Sequence, residues 1–131
     1  MLDKTVTGQV TEFLDRFGSA LEDGDVARAT EMFQEDCYWR DLVTFTWNIK
    51  TMEAREQVSD MLNAQLAATK PSNWQVADGE TPTDEDGLVT AWITFETGAA
   101  RGYGLVRLRD GKIWTLLTAA VELKGFGGPA G

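Results

Sequence analysis

Histidine is absent from all 131 residues. That removes Ser–His and Cys–His nucleophile pairs, histidine-ligated zinc and the commonest general base. Any chemistry then falls to carboxylates, tyrosines, amides, arginine or a bound cofactor. Cysteine occurs once, at Cys37. A lone cysteine forms no internal disulfide, which fits a reducing cytoplasm. With no histidine to activate it, Cys37 is expected to be a small buried hydrophobe and not a nucleophile. Apolar runs are short, and none approaches the roughly 18 residues of a membrane span. The first residues lack the basic segment and apolar stretch of a secretory signal. Positive charge is scarce too: 12 Lys and Arg face 21 Asp and Glu, a net −9. Nucleic acid and anionic membrane surfaces are therefore poor partners. What is present, 43% hydrophobic and 25% charged residues, is the composition of a soluble globular protein with one core.

Val6, Val10, Phe13, Leu14, Phe17 and Leu21 recur along one side of a helix. Glu22-Asp23-Gly24-Asp25 turns the chain and ends on an acid suited to cap the next helix. Val26, Ala29, Met32 and Phe33 form a short second stripe, which predicts an αα-hairpin. Cys37 to Val43 alternates as a strand, and Thr44 to Ile49 reads as a turn with a second extended piece. Ala54, Val58, Met61, Leu62 and Leu66 mark a third helix, which Pro71 stops before Lys70. The period then becomes that of strands: Trp74 to Ala77, Leu88 to Thr97, Arg101 to Arg109 and Ile113 to Val121. Between them lie an acidic exposed turn at Thr81 to Gly87 and a primed two-residue turn at Asp110-Gly111. Helices grouped early and strands grouped late predict an α+β domain, a strongly curved antiparallel sheet covered by three helices. One domain over 1–124 and a mobile glycine-rich tail over 125–131 are expected.

One acid breaks the pattern. On a strand from Cys37 to Val43, Asp41 shares a face with Cys37, Trp39 and Val43, where a buried side should be apolar. Asp41 is expected either as a partly desolvated base or acceptor for a small ligand, or as a strand-end tie to an arginine or a Trp indole N–H. On the Arg101–Arg109 strand, Gly102, Gly104, Val106 and Leu108 share the apolar inner face. The two glycines leave either a bend in the sheet or room for a ligand. Arg101, Tyr103, Leu105, Arg107 and Arg109 share the outer face, which would suit a homodimer contact. Trp114, Leu116, Thr118 and Ala120 share one side of the last strand. With Trp39, Phe45, Trp47 and Trp92 they suggest a cone walled by aromatics, with Asp41 as its polar group.

Phe17-Gly18-Ser19-Ala20-Leu21-Glu22-Asp23-Gly24-Asp25, then Met32-Phe33, then Tyr38-Trp39-Arg40-Asp41, resembles the opening of the NTF2-like superfamily, which includes SnoaL-like proteins and ketosteroid isomerase. The block Tyr38 to Thr51 and Glu122-Leu123-Lys124-Gly125 are similar to the NTF2-like domain found ahead of some FAD/NAD(P)-dependent monooxygenases. The resemblance implies a cone-shaped fold around an aromatic-lined pocket for an apolar or aromatic small molecule. It sets Asp41 at the place of the isomerase's general base. The isomerase's two oxyanion donors fall at Phe17 and Gly104, so that activity is not expected here. The sharper expectation is acid/base catalysis of isomerase, cyclase or hydrolase type through Asp41. Its ligand would be held by Phe17, Trp39, Phe45, Trp47, Asn48, Trp92, Gly104, Trp114 and Thr118. The alternative is a non-catalytic accessory or dimerisation domain. No cofactor and no metal are expected. Gly125 to Ala130 fits G-x-G-x-x-A, but too few residues follow for the helix that would hold a pyrophosphate.

Overall fold

A computed structural model describes residues 6–42, 49–98 and 100–123. Helix α1 (Val6–Glu22) carries the first apolar stripe and buries Val10, Phe13, Leu14, Phe17 and Leu21 along it. Gly24 turns the chain at φ +70, and the Asp25 carboxylate accepts the Arg28 backbone N–H at 3.1 Å to cap α2 (Val26–Glu31). Phe33, expected on that helix, instead opens strand β1 (Phe33–Leu42). The cause is the last strand: Ile113 N–H donates to the Met32 carbonyl at 2.8 Å, and Phe33 pairs with Ile113. That pairing takes the backbone out of the helix and starts β1 before Cys37.

Strand β2 (Ile49–Glu53) pairs antiparallel with β1. It leads into helix α3 (Ala54–Thr69), where Gln57 Oε1 accepts the Glu53 backbone N–H at 2.9 Å. Lys70, ahead of Pro71, takes a left-handed φ of 51 and ends the helix. The remaining strands are β3 (Ser72–Val76), β4 (Thr83–Glu85), β5 (Leu88–Glu96), β6 (Ala100–Arg109) and β7 (Lys112–Leu123). Asp110-Gly111 makes the expected turn with φ of 54 and 78. Asp86-Gly87 repeats it at 55 and 87, so the supposed acidic turn includes the short strand β4.

The seven strands form one sheet in the order β2-β1-β7-β6-β5-β3, with β4 on β5. It is mixed rather than wholly antiparallel, because β1 and β7, the second and third strands from the β2 edge, run parallel. Such a pair needs a long connection, which α3 and the intervening strands supply. Bulges sharpen the curl: the β6–β7 register slips between Arg101 and Gly102 and again between Arg107 and Leu108. α1 and α3 cover the inner face, where Val58 and Leu62 meet Phe33, Trp39, Ile93, Phe95, Val106 and Leu116 in one core. Each such wholly buried side chain contributes about 1.5–3 kcal/mol. No helix among the described residues is long and apolar enough to cross a membrane.

Candidate functional site

Strand alternation sends Cys37, Trp39 and Asp41 inward and leaves Tyr38 and Arg40 exposed. Asp41 is 0% exposed, as the anomaly in the sequence foretold. Its surroundings come from the parallel register, which sets Asp41 beside Thr118 and Trp39 beside Leu116. Thr118 Oγ1 donates to Asp41 Oδ1 at 2.7 Å, and Trp39 Nε1 donates to Thr118 Oγ1 at 2.9 Å. The direction is fixed by chemistry. An indole N–H can only donate, so the hydroxyl accepts from Trp39 and turns its single proton to the carboxylate. Of the two alternatives drawn for Asp41, the geometry holds the strand-end tie: the indole reaches the carboxylate through Thr118.

Behind this relay the cone is filled by rings. Phe33 stacks on Trp39 with centroids 5.7 Å apart, and Phe17 meets Phe33 edge-on at 5.8 Å. Phe17 also meets Trp74 at 5.3 Å, and Trp74 stacks on Phe95 at 4.4 Å. Phe17 therefore joins the same ring chain as Trp39, through Phe33. Trp74 and Phe95 belong to this wall although neither was expected there. The Trp74 Nε1–H, buried over Gly18, has no acceptor among the described residues.

Other expected members are placed elsewhere. Trp92 alternates outward between buried Ala91 and Ile93; it is 38% exposed and stacks on Tyr103 at 5.3 Å. Trp114 leaves the side of Leu116 and Thr118 because of a bulge: Leu108 pairs with Ile113 and Arg107 with Thr115, so Trp114 has no β6 partner. Its ring lies 4.2 Å from the Arg109 guanidinium carbon. The glycine void is also corrected. A Cβ on Gly102 would run into the Phe95 ring, and one on Gly104 into the Leu117 carbonyl oxygen. Both glycines admit close packing in a curled sheet, not a ligand. Phe45, Trp47 and Asn48, like Val43, lie outside the described residues.

A cleft of about 450 Å³ opens between β2 and α3, lined by Lys50, Met52, Gln57, Asp60, Met61, Ala64 and Gln65. Met52 pairs with Trp39 and Lys50 with Asp41, so the β2 wall of the cleft continues the face that carries the acid. Sequence alone missed Lys50 and Met52, because their face depends on the β1–β2 register. Burial pushes the Cys37 thiol up, against the opposing pull of the Arg55 guanidinium, which fits an inert cysteine. Among the described residues no group of His, Cys, Asp or Glu could hold a metal ion.

A family model described as a SnoaL-like domain matches residues 10–116. No curated protein matches the chain. Among solved structures, a domain of unknown function with a cystatin-like fold from Nostoc punctiforme superposes with a TM-score of 0.69 at 12% identity, over 91% of this chain and 80% of that one. An NTF2-like protein with a cystatin-like fold from Novosphingobium aromaticivorans gives 0.61 at 16%, over 89% and 81%. The orange carotenoid protein of Anabaena (Nostoc) sp. PCC 7120, solved binding canthaxanthin, gives 0.63 at 14%, over 85% of this chain and 36% of that one. These likenesses establish the fold: an α+β cone with a curved open sheet.

Thr118→Val removes the donor to Asp41 and the acceptor for Trp39 at once, and should cost roughly 2–4 kcal/mol of stability. Thr118→Ser keeps both bonds and should lose only about a methyl's worth, near 1 kcal/mol. Urea denaturation of the two variants checks the ranking; equal losses would contradict the relay.

Proposed function

The chain belongs to the SnoaL-like domain family, and from that premise we propose that it binds an apolar or aromatic small molecule on the inner face of its sheet, with Asp41 as the general base. The observation that carries this is the fully buried Asp41 carboxyl, bonded by Thr118 and tied through it to Trp39, whose β2 register partners Lys50 and Met52 line the cleft between β2 and α3. A carboxylate fixed in apolar surroundings is the kind of group that takes a proton from a carbon acid. With Phe17 and Gly104 at the places of the oxyanion donors, Asp41 would take a proton only from a ligand whose own conjugated system receives the electron pair, and would return it at another atom of that system. This is cofactor-independent chemistry of isomerase, cyclase or hydrolase type. The fold relative that binds canthaxanthin supports a ligand of apolar, conjugated character.

A second reading has its own support. Phe17, Phe33, Trp74 and Phe95 fill much of the cone with side chains, as in a non-catalytic accessory or dimerisation domain of the kind that precedes flavin monooxygenases. In both readings the protein works in the cytoplasm as a homodimer. The outer sheet face, with Trp92 stacked on Tyr103 and Val121 63% exposed, is the contact surface.

A thermal-shift and Trp-fluorescence screen against aromatic and polyketide-like compounds tests the first reading. Saturating ligand, at about 100 times its Kd, should stabilise the wild type by about 2.7 kcal/mol. Asp41→Asn, which can still accept from Thr118, should fold normally and lose the response. A variant that responds like the wild type, or a wild type that answers to no compound, contradicts the role of Asp41. For the dimer, Trp92→Glu should convert the species seen by light scattering to a monomer; a wild type already monomeric at tens of micromolar (a concentration chosen on the order of ordinary dimer affinities) rules out that contact.

A further inference from the structure

We infer that Lys50 supplies the positive end of the ligand site, so that the preferred ligand is an organic anion with an apolar body. This rests on the reading that ligand lies along the inner face beside Asp41. Residues directly opposite in an antiparallel pair project to the same side, about 4.5–5.5 Å apart at Cβ. Asp41 pairs with Lys50 and Trp39 with Met52. Met52 is 1% exposed and confirms that this alternation points inward. Thr51, between them, points outward, where Arg40 Nη1 meets its hydroxyl at 3.4 Å. Lys50 therefore belongs to the side of the sheet that carries the acid, not to the solvated outer side that an edge-strand lysine usually occupies.

Lys50 and Met52 form one wall of the cleft, and Gln57, Asp60, Met61 and Ala64 of α3 face them. Lys50 is exposed, and among the described residues it makes no ion pair. Its flexible four-carbon stem can carry the ammonium along the cleft. Met52, unbranched and adaptable, is the next residue of β2 on the same face and pairs with Trp39. Near Asp41 the interior offers little else to a negative charge, because the unmatched Trp74 N–H lies on β3 at the opposite edge of the sheet. Phe17 is hydrocarbon among hydrocarbon, Gly104 has no side chain, and the Thr118 proton is committed to Asp41. An anionic group placed near Asp41 would be repelled unless a cation faced it, and the register puts Lys50 on that face. Asp60, across the cleft, opposes the effect and so should weaken it.

Two fluorescent probes that differ by one charge test this: anilinonaphthalene sulfonate and its neutral counterpart N-phenylnaphthylamine. Wild type should bind the sulfonate more tightly than the amine. Lys50→Gln should weaken sulfonate binding on the order of fivefold and leave the amine unchanged. Lys50→Arg should retain the preference, and Asp60→Asn should strengthen it. Ala64→Trp, which crowds the cleft, should weaken both probes. If both probes bind equally and Ala64→Trp weakens both, whatever stands at position 50, the charge inference falls and ligand binding in the cleft survives. If neither probe binds the native protein, both fall together.

Discussion

A single hydroxyl joins the two ends of this fold. Thr118 on β7 receives the indole N–H of Trp39 and gives its proton to Asp41, both on β1. Burying a carboxylate without partners would cost several kcal/mol, and β7 meets part of that demand by bringing Thr118 alongside Asp41. That requirement selects one register of the parallel pair. A slip by one residue would turn Asp41 and Trp39 to the other face and bring Tyr38 and Arg40 into the core. The parallel pairing of the sheet and the polarity of its interior are thus one constraint.

The rest of the inner face follows from it. Away from Asp41 the space between sheet and helices is taken by Phe33, Phe17, Trp74 and Phe95, each in contact with the next. Gly102 and Gly104 let neighbouring rings and backbone close in where larger residues would hold the strands apart. At the other end, β2 extends the Asp41 face with Lys50 and Met52, and α3 stands off enough to leave a cleft. One end of the inner face is therefore dry and packed, and the other is polar and open. An apolar ligand with a charged head matches that gradient.

Much of the architecture is legible in the residues, because periodicity and turn chemistry are local. The stripe from Val6 to Leu21, the Asp25 cap, the stop at Pro71 and the Asp110-Gly111 turn need no tertiary information. Phe33 leaves the helix its spacing predicts because Ile113, eighty residues later, pairs with it, and helix spacing cannot register that pairing. Trp114 was misjudged because strict alternation holds only until a bulge inserts a residue, and no sequence signal marks this one. Trp92 shows a different limit. An aromatic in a β-rich segment fits either face, and only the burial of Ala91 and Ile93 decides its direction. Asp41 is conspicuous because a charge among Trp and Cys violates the inward pattern, but Thr118 is expected from sequence to hold a ligand and not to bond Asp41, since that pairing depends on the parallel register. Lys50 went unnoticed for the same reason, since a lysine near a turn is ordinary until its register is known.

The most direct test of the central interaction is hydrogen exchange at the Trp39 indole N–H, followed by NMR and assigned by its loss in Trp39→Phe. A proton donated to a buried hydroxyl exchanges only when β1 and β7 separate, so its protection should approach that of the most stable backbone amides in the core. Exchange at the rate of a freely accessible indole would mean that Trp39 does not reach Thr118, and the account of Asp41 built on that bond would be wrong.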